Sequence, residues 1–187
     1  MQITRKHSVA TVLSGALVLL LLSGLSGCAS PKLDAYADRQ PVLDPAQFFQ
    51  GELYARGIVR NRAGEVIRTF DADIVASWDD QGVGTLDEVF RFDDGEEQIR
   101  IWTLTPNEQG YLGTAGDVVG PAQMRFAGNA IHMNYVLRIP YRNGTIDVRM
   151  DDWMHLITPD TLINQTHMSK WGFRVGDVVL VIQRLSD

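Results

Sequence analysis

This 187-residue sequence predicts an all-β domain, an up-and-down antiparallel barrel of about ten strands behind a cleavable leader and a polar tether. Three observations predict it. Turn signals recur about every 8 to 13 residues from residue 61 onward. No segment between them carries a convincing helical period. The hairpins whose register can be counted place apolar residues on one face.

Taken in order, residues 1–27 read as a signal peptide: Arg5, Lys6 and His7 precede the uncharged, largely apolar run Val9–Leu22, which is short for a membrane span. "LSGC", Leu25 to Cys28, resembles the lipobox of bacterial lipoproteins, in which the cysteine thiol takes a diacylglycerol. Cys28 is the only cysteine, so a disulfide framework and a thiolate metal site are both excluded. Ala29 stands where an inner-membrane retention signal places Asp. The expected address is the outer membrane of a bacterial envelope, with the chain lipid-anchored and facing the periplasm. Removing residues 1–27 removes Arg5 and Lys6 and no acid, so the formal charge falls from −6 to −8. That acidity argues against nucleic acid as a partner.

Residues 28–46 are polar, with Pro31, Pro41 and Pro45 and no periodicity, and read as an extended lipidated tether. The barrel domain is assigned to residues 47–187, opening at "FFQG". Its turns follow at "NRAG" (61), "DDQG" (79), "DDG" (93), "PNEQG" (106), "VVGP" (118), "GN" (128), "NG" (143), "TPDT" (158) and the corner Gly172 to Gly176, nine turns joining ten strands. With Asn143-Gly144 as a two-residue loop, Leu137 opposes Met150, Tyr135 opposes Asp152, and Met133 opposes Met154. With Gly128-Asn129 as the preceding loop, Phe126 opposes Ile131 and Met124 opposes Met133, so two turns agree on one apolar face. Ten such strands close into a barrel or stack as a sandwich, and consecutive hairpins favour the barrel.

The lipobox, "FFQG", "LDEVFRFDDGE", "GDVVG", "AGNAIHMNYVLRIP", "DDWMHLI" and "MSKWGFRVGDV" resemble a bacterial lipoprotein family catalogued as a domain of unknown function, number 3833. The resemblance covers essentially the whole mature chain. It implies a barrel like those of lipocalins and calycins, although no lipocalin Gly-x-Trp motif stands at Gly51 or Gly57. It implies an envelope location and brings no activity.

Chemistry is sparse. No nucleophile elbow, zinc-protease helix, phosphate loop or dinucleotide fingerprint occurs, and no cofactor is expected. His132 and His155 fall opposite each other on the outer face in the counted register, two candidate metal ligands without a good third. With a four-residue "TPDT" loop, His167 falls opposite Asp152, so Asp152, Tyr135 and His167 form a candidate acid–base row on the apolar face. A bulge at Asp151-Asp152 is the alternative, and would turn Trp153 and His155 inward instead. Lys170 and Trp171 are either a head-group contact or a closure of the barrel end. Four methionines of the mature chain, Met124, Met133, Met150 and Met154, project inward; flexible and polarizable, they suit an adaptable apolar pocket. The candidate ligand-binding set is therefore Met124, Met133, Tyr135, Leu137, Met150, Asp152 and Met154. The leading expectation is a barrel that binds or shuttles a lipid or other apolar molecule. A solid barrel docking an envelope protein, and an enzyme acting on a lipid-like substrate, are the alternatives. An interior above roughly 300 Å³ separates the first from the second.

Overall fold

A computed structural model describes residues 31–185 of the chain. The expected signal peptide, residues 1–27, and the expected lipidation site Cys28 with Ala29 lie outside the described residues. Ten strands are present: β1 (Gly51–Asn61), β2 (Val66–Trp78), β3 (Gly84–Phe92), β4 (Glu97–Asn107), β5 (Gly110–Thr114), β6 (Ala122–Ala127), β7 (Ala130–Tyr141), β8 (Gly144–Thr158), β9 (Thr161–Lys170) and β10 (Phe173–Arg184). Each pairs antiparallel with its neighbours in sequence, and β1 pairs with β10 to close the barrel. Closure removes the unpaired edges that an open sheet of this size would expose.

The β6–β7 register is the one the Gly128-Asn129 turn predicts, with Phe126 opposite Ile131 and Met124 opposite Met133. The β7–β8 register differs by two residues. Tyr141 pairs with Gly144, so the loop is Arg142-Asn143, and Leu137 faces Val148 while Tyr135 faces Met150. The physical reason is charge. Counting from Asn143-Gly144 sets Arg138 against Arg149, whereas the observed register sets it against Asp147, which accepts two hydrogen bonds from it at 2.7 and 3.0 Å. A shift of two preserves the alternation of faces, so the predicted interior survives.

The β8–β9 pair departs further. Thr158 opposes Thr161, as the turn predicts, but the register then shifts between Leu156 and Thr158, leaving Ile157 as a half-exposed bulge. Leu156 meets Leu162, both buried. A one-residue slip reverses every side chain beyond it. Leu162, Asn164, Thr166 and Met168 consequently face inward on β9, and His167 faces outward. No bulge occurs at Asp151-Asp152, which pair regularly with Asn134 and Met133.

Residues 32–46, expected as an extended tether, instead lie against the barrel. A 3-10 turn, Leu33–Tyr36, sets the Tyr36 ring against Trp153 and His155 at centroid distances of 5.7 and 4.9 Å. Leu43 N–H donates to Gly128 O at 2.8 Å, and Asp44 caps a single-turn helix α1 (Pro45–Phe48) by accepting from Ala46 N–H at 2.9 Å. Pro45 at the first helical position is pre-shaped for it. Leu43, Phe48 and Phe49, each no more than 3 % exposed, pack with Leu53, Ile131, Leu156 and Leu162 into the main core. They form a floor across the end where β1, β3, β5, β7 and β9 begin. What the proline content concealed was Leu43, which joins Phe48 and Phe49 from the expected start of the domain.

Candidate functional site

Above that floor the barrel encloses a cavity of about 430 Å³ that extends toward the opposite end, where Ile67, Glu96 and Pro140 line it. Its wall contains all five methionines that follow Met1, Met168 joining the four expected, because the β8–β9 slip turns it inward. Met124, Met133, Leu137, Met150, Tyr135, Asp152 and Met154 all lie on this wall, where the alternation placed them.

A polar strip crosses the apolar lining. Asp152 is buried opposite Met133 on one side and Thr166 on the other. Its Oδ1 accepts from Thr166 Oγ1 at 2.8 Å and from the Asn164 side-chain amide, which also donates to Trp153 O at 3.2 Å. Burial raises the Asp152 carboxyl above its ordinary value, and the two donors only partly oppose this. Across the cavity Arg100 makes a forked contact with Asp117, Nε to Oδ2 at 3.0 Å and Nη2 to Oδ2 at 2.8 Å. Its Nη1 lies 3.8 Å from Glu88 Oε2. Burial works against the Arg100 charge, but the hydrogen bonds to Asp117 and the charge of Glu88 outweigh it and hold the guanidinium protonated. Glu88 is pushed up to about 7, first by burial and then by the carboxylates of Asp117, Asp152 and Asp87, with Arg100 opposing. Tyr135 packs edge-on against Trp102 at 5.4 Å, and burial and the nearby Asp152 raise its phenol well above the ordinary value.

The predicted acid–base row is not formed. His167 lies outside, its Nδ1 2.7 Å from Asp177 Oδ1, because the bulge at Ile157 turned it out and brought Thr166 to Asp152 in its place. Asp177, buried on the outer face, is ligated by His167 and Arg174, with Arg60 at 3.7 Å; these partners outweigh burial and lower its carboxyl. The histidine pair is not formed either. His132 faces Trp153, stacks on it at 4.1 Å, and places Nε2 2.7 Å from Asp151 Oδ1. Trp153 occupies the position where His155 was expected. Trp153 points outward, as regular pairing requires, yet is only 9 % exposed, because Tyr36 covers it.

Glu88 and Arg100 are absent from the sequence-derived set. The first was legible: Leu86, Glu88 and Phe90 alternate, so one face holds all three. The second alternates with Ile99 and Ile101, which are 64 % and 50 % exposed on the outside, so hydropathy alone does not pick out the inner face of β4.

The wall combines flexible apolar side chains with a few fixed polar groups, the composition common in small-molecule sites. Among the described residues that line it, Thr166 Oγ1 is paired with Asp152, and no histidine or lysine joins them.

A family model described as "Protein of unknown function (DUF3833)" matches residues 22–184. No curated protein matches the sequence. Among solved structures, a protein of unknown function of the DUF3598 family from Nostoc punctiforme superimposes with a TM-score of 0.55 at 16 % identity, over 78 % of this chain and 51 % of that one. This chain thus spans about half the length of that structure, and the likeness is one of fold. The S-type phycobiliprotein lyase CPES from Guillardia theta matches with a TM-score of 0.48 at 10 % identity, over 84 % of this chain and the whole of that one.

Proposed function

Because the chain belongs to the DUF3833 family, whose description assigns no activity, its function rests on the site, and we propose that it binds a lipid or similar apolar molecule inside the barrel. We further propose that Cys28 anchors it to the outer membrane of a bacterial envelope, facing the periplasm. The observation that carries the binding reading is the methionine-walled cavity of about 430 Å³, which lies within the range of small-molecule sites. A solid barrel built only to dock a partner would fill that volume at crystal-like density.

The polar strip narrows the ligand. Arg100 stands among three carboxylates, Glu88, Asp117 and Asp152, and is already matched by Asp117, while the second cation of the lining, Arg68, is paired with Asp94 and Glu96. A phosphate or carboxylate head would meet no unmatched cation among the described residues of this wall, whereas a neutral head that donates hydrogen bonds, such as a hydroxyl or amide, finds carboxyl oxygens at Glu88 and Asp152.

Native mass spectrometry of residues 32–187, purified without detergent, tests this; the cut falls at Lys32 because Tyr36 and Leu43 belong to the packed domain. The expected result is a reproducible lipid adduct, displaced by a monoacylglycerol more readily than by the fatty acid of the same chain length. Repeated apo spectra after exposure to envelope lipids would refute binding. Leu137→Trp and Met133→Trp are expected to reduce the adduct with little loss of thermal stability, since the added ring enters free volume. In a solid core the same change costs about 1–3 kcal/mol, so a steep fall in melting temperature with an unaltered adduct would favour the solid barrel. For the anchor, Cys28→Ser is expected to abolish incorporation of labelled palmitate in cells; labelling of the variant would remove the lipoprotein assignment.

A further inference from the structure

We propose that the open end of the barrel docks on an anionic lipid bilayer through the tips of the β7–β8 and β9–β10 hairpins. The proposal stands on those tips and holds whatever the cavity carries. Trp171, Phe173 and Tyr141 are 84 %, 66 % and 51 % exposed, the most exposed aromatic rings among the described residues, and all three sit on these two hairpins. The hairpins are neighbours, because β8 and β9 pair, and both lie at the end opposite the floor. On the other flank of β10, the β1–β2 hairpin adds Val66 and Ile67, which are 53 % and 57 % exposed.

The backbone gives a second, independent observation. Trp171 and Gly172 form a two-residue turn in which both φ angles are positive, +50° and +80°. Asn and Gly fit such positions, and a bulky aromatic residue is strained there. The Trp171 ring is both strained and solvated, so it contributes little to holding the barrel together. Arg142 on the neighbouring tip is likewise held at φ +52°.

Charge selects the partner. The whole chain is acidic at −6, yet Tyr141–Asn143 and Lys170–Val175 contain Arg142, Lys170 and Arg174 and no acid. Arg174 is engaged by Asp177, and Lys170 Nζ, 5.4 Å from the Trp171 ring, donates to Asp147 O, so the cation best placed to reach a surface is Arg142, 5.2 Å from the Tyr141 ring. Aromatic rings flanked by long cationic side chains are the composition of a membrane interface, with the rings at head-group depth and the cations reaching the phosphates. The β3–β4 hairpin, with Asp93, Asp94, Glu96 and Glu97, stands diametrically opposite around the ring of strands. An anionic surface would repel that side and attract the aromatic side, so the barrel would lean onto its β7–β10 rim.

Trp171 is its own reporter, because Trp78, Trp102 and Trp153 are buried or half-buried. The full-length chain would be reconstituted into vesicles of phosphatidylethanolamine and phosphatidylglycerol with plain or brominated acyl chains. The Trp171 component is taken as the parent emission minus that of Trp171→Asn. The expected result is a blue shift of this component and loss of most of its intensity on brominated lipid. Arg142→Glu, the double change Tyr141→Asn with Phe173→Asn, and replacement of phosphatidylglycerol by phosphatidylcholine should each reverse this loss. A Trp171 component that stays water-like and open to iodide on brominated vesicles would overturn the proposal. So would a fall in the melting temperature of Trp171→Asn, which would return the ring to a structural role; docking predicts an unchanged or higher value. Lipid adducts in the cavity are read separately by mass spectrometry, so the two proposals fail independently.

Discussion

Glu88→Gln is expected to flatten the dependence of stability on pH. Glu88 titrates at about 7 in the folded protein against an ordinary 4.5. An acid whose value is raised by folding binds its proton more tightly in the native state, so stability is lost as pH rises above the unfolded value, and the loss levels off above the folded one. A difference of this size corresponds to about 3 kcal/mol by pH 8. The side chain is only 12 % exposed, so solvent screening removes little of it. Glutamine cannot ionise, and Arg100 keeps its forked contact with Asp117. Urea unfolding at pH 5 and pH 8 should show the variant gaining about 2–3 kcal/mol on the parent between the two conditions. Asp152, also raised by burial, acts with the same sign, so a smaller slope should remain. Parallel profiles for variant and parent would place Glu88 in water rather than in the cavity wall.

Gly128→Ala is expected to strip the N-terminal segment from the barrel. Gly128 has φ +53°, and a Cβ built there would overlap the carbonyl oxygen of Tyr36, while its own carbonyl accepts from Leu43 N–H. Neither neighbour is a side chain that can swing aside. The cost should exceed about 2 kcal/mol, since positive φ and a backbone collision act together. Trp153, shielded by Tyr36, should become open to iodide. Gly64→Ala is the control: φ is +88° there but nothing lies within 4 Å of the new Cβ, so only the strain of about 1–2 kcal/mol remains. Equal effects of the two substitutions would show that backbone conformation alone, and not the packed segment, governs position 128.

The fold was legible because turn chemistry is local. Gly128-Asn129 set one register outright, and the error at Arg142-Asn143 was an even number of residues, which leaves an alternating pattern on the same face. The cavity wall followed from that parity. The polar strip did not, because it depends on the single extra residue at Ile157, whose effect is odd and turns His167 out and Thr166 in. A bulge is decided by what the far strand can bury, here Leu162 against Leu156, and a single strand's sequence does not carry that information. Trp153 illustrates the same limit. Its face was predictable, but its shelter comes from Tyr36, more than a hundred residues earlier in the chain. Arg100 was not picked out by hydropathy, since it alternates with isoleucines on the wet face of β4.

Among the described residues, the floor of Leu43, Phe48 and Phe49 stands across one end of the barrel, and the cavity lining reaches exposed residues at the other through Ile67, Glu96 and Pro140. A vessel with one door is a cup and not a pipe. A ligand held as proposed could not be threaded through it from donor to acceptor: the last part to enter would be the first to leave, and two molecules would trade places only in turn. Under the proposed function, net delivery by such a cup would require the whole body to change station between filling and emptying, and the rate of that relocation would set an upper bound on the flow.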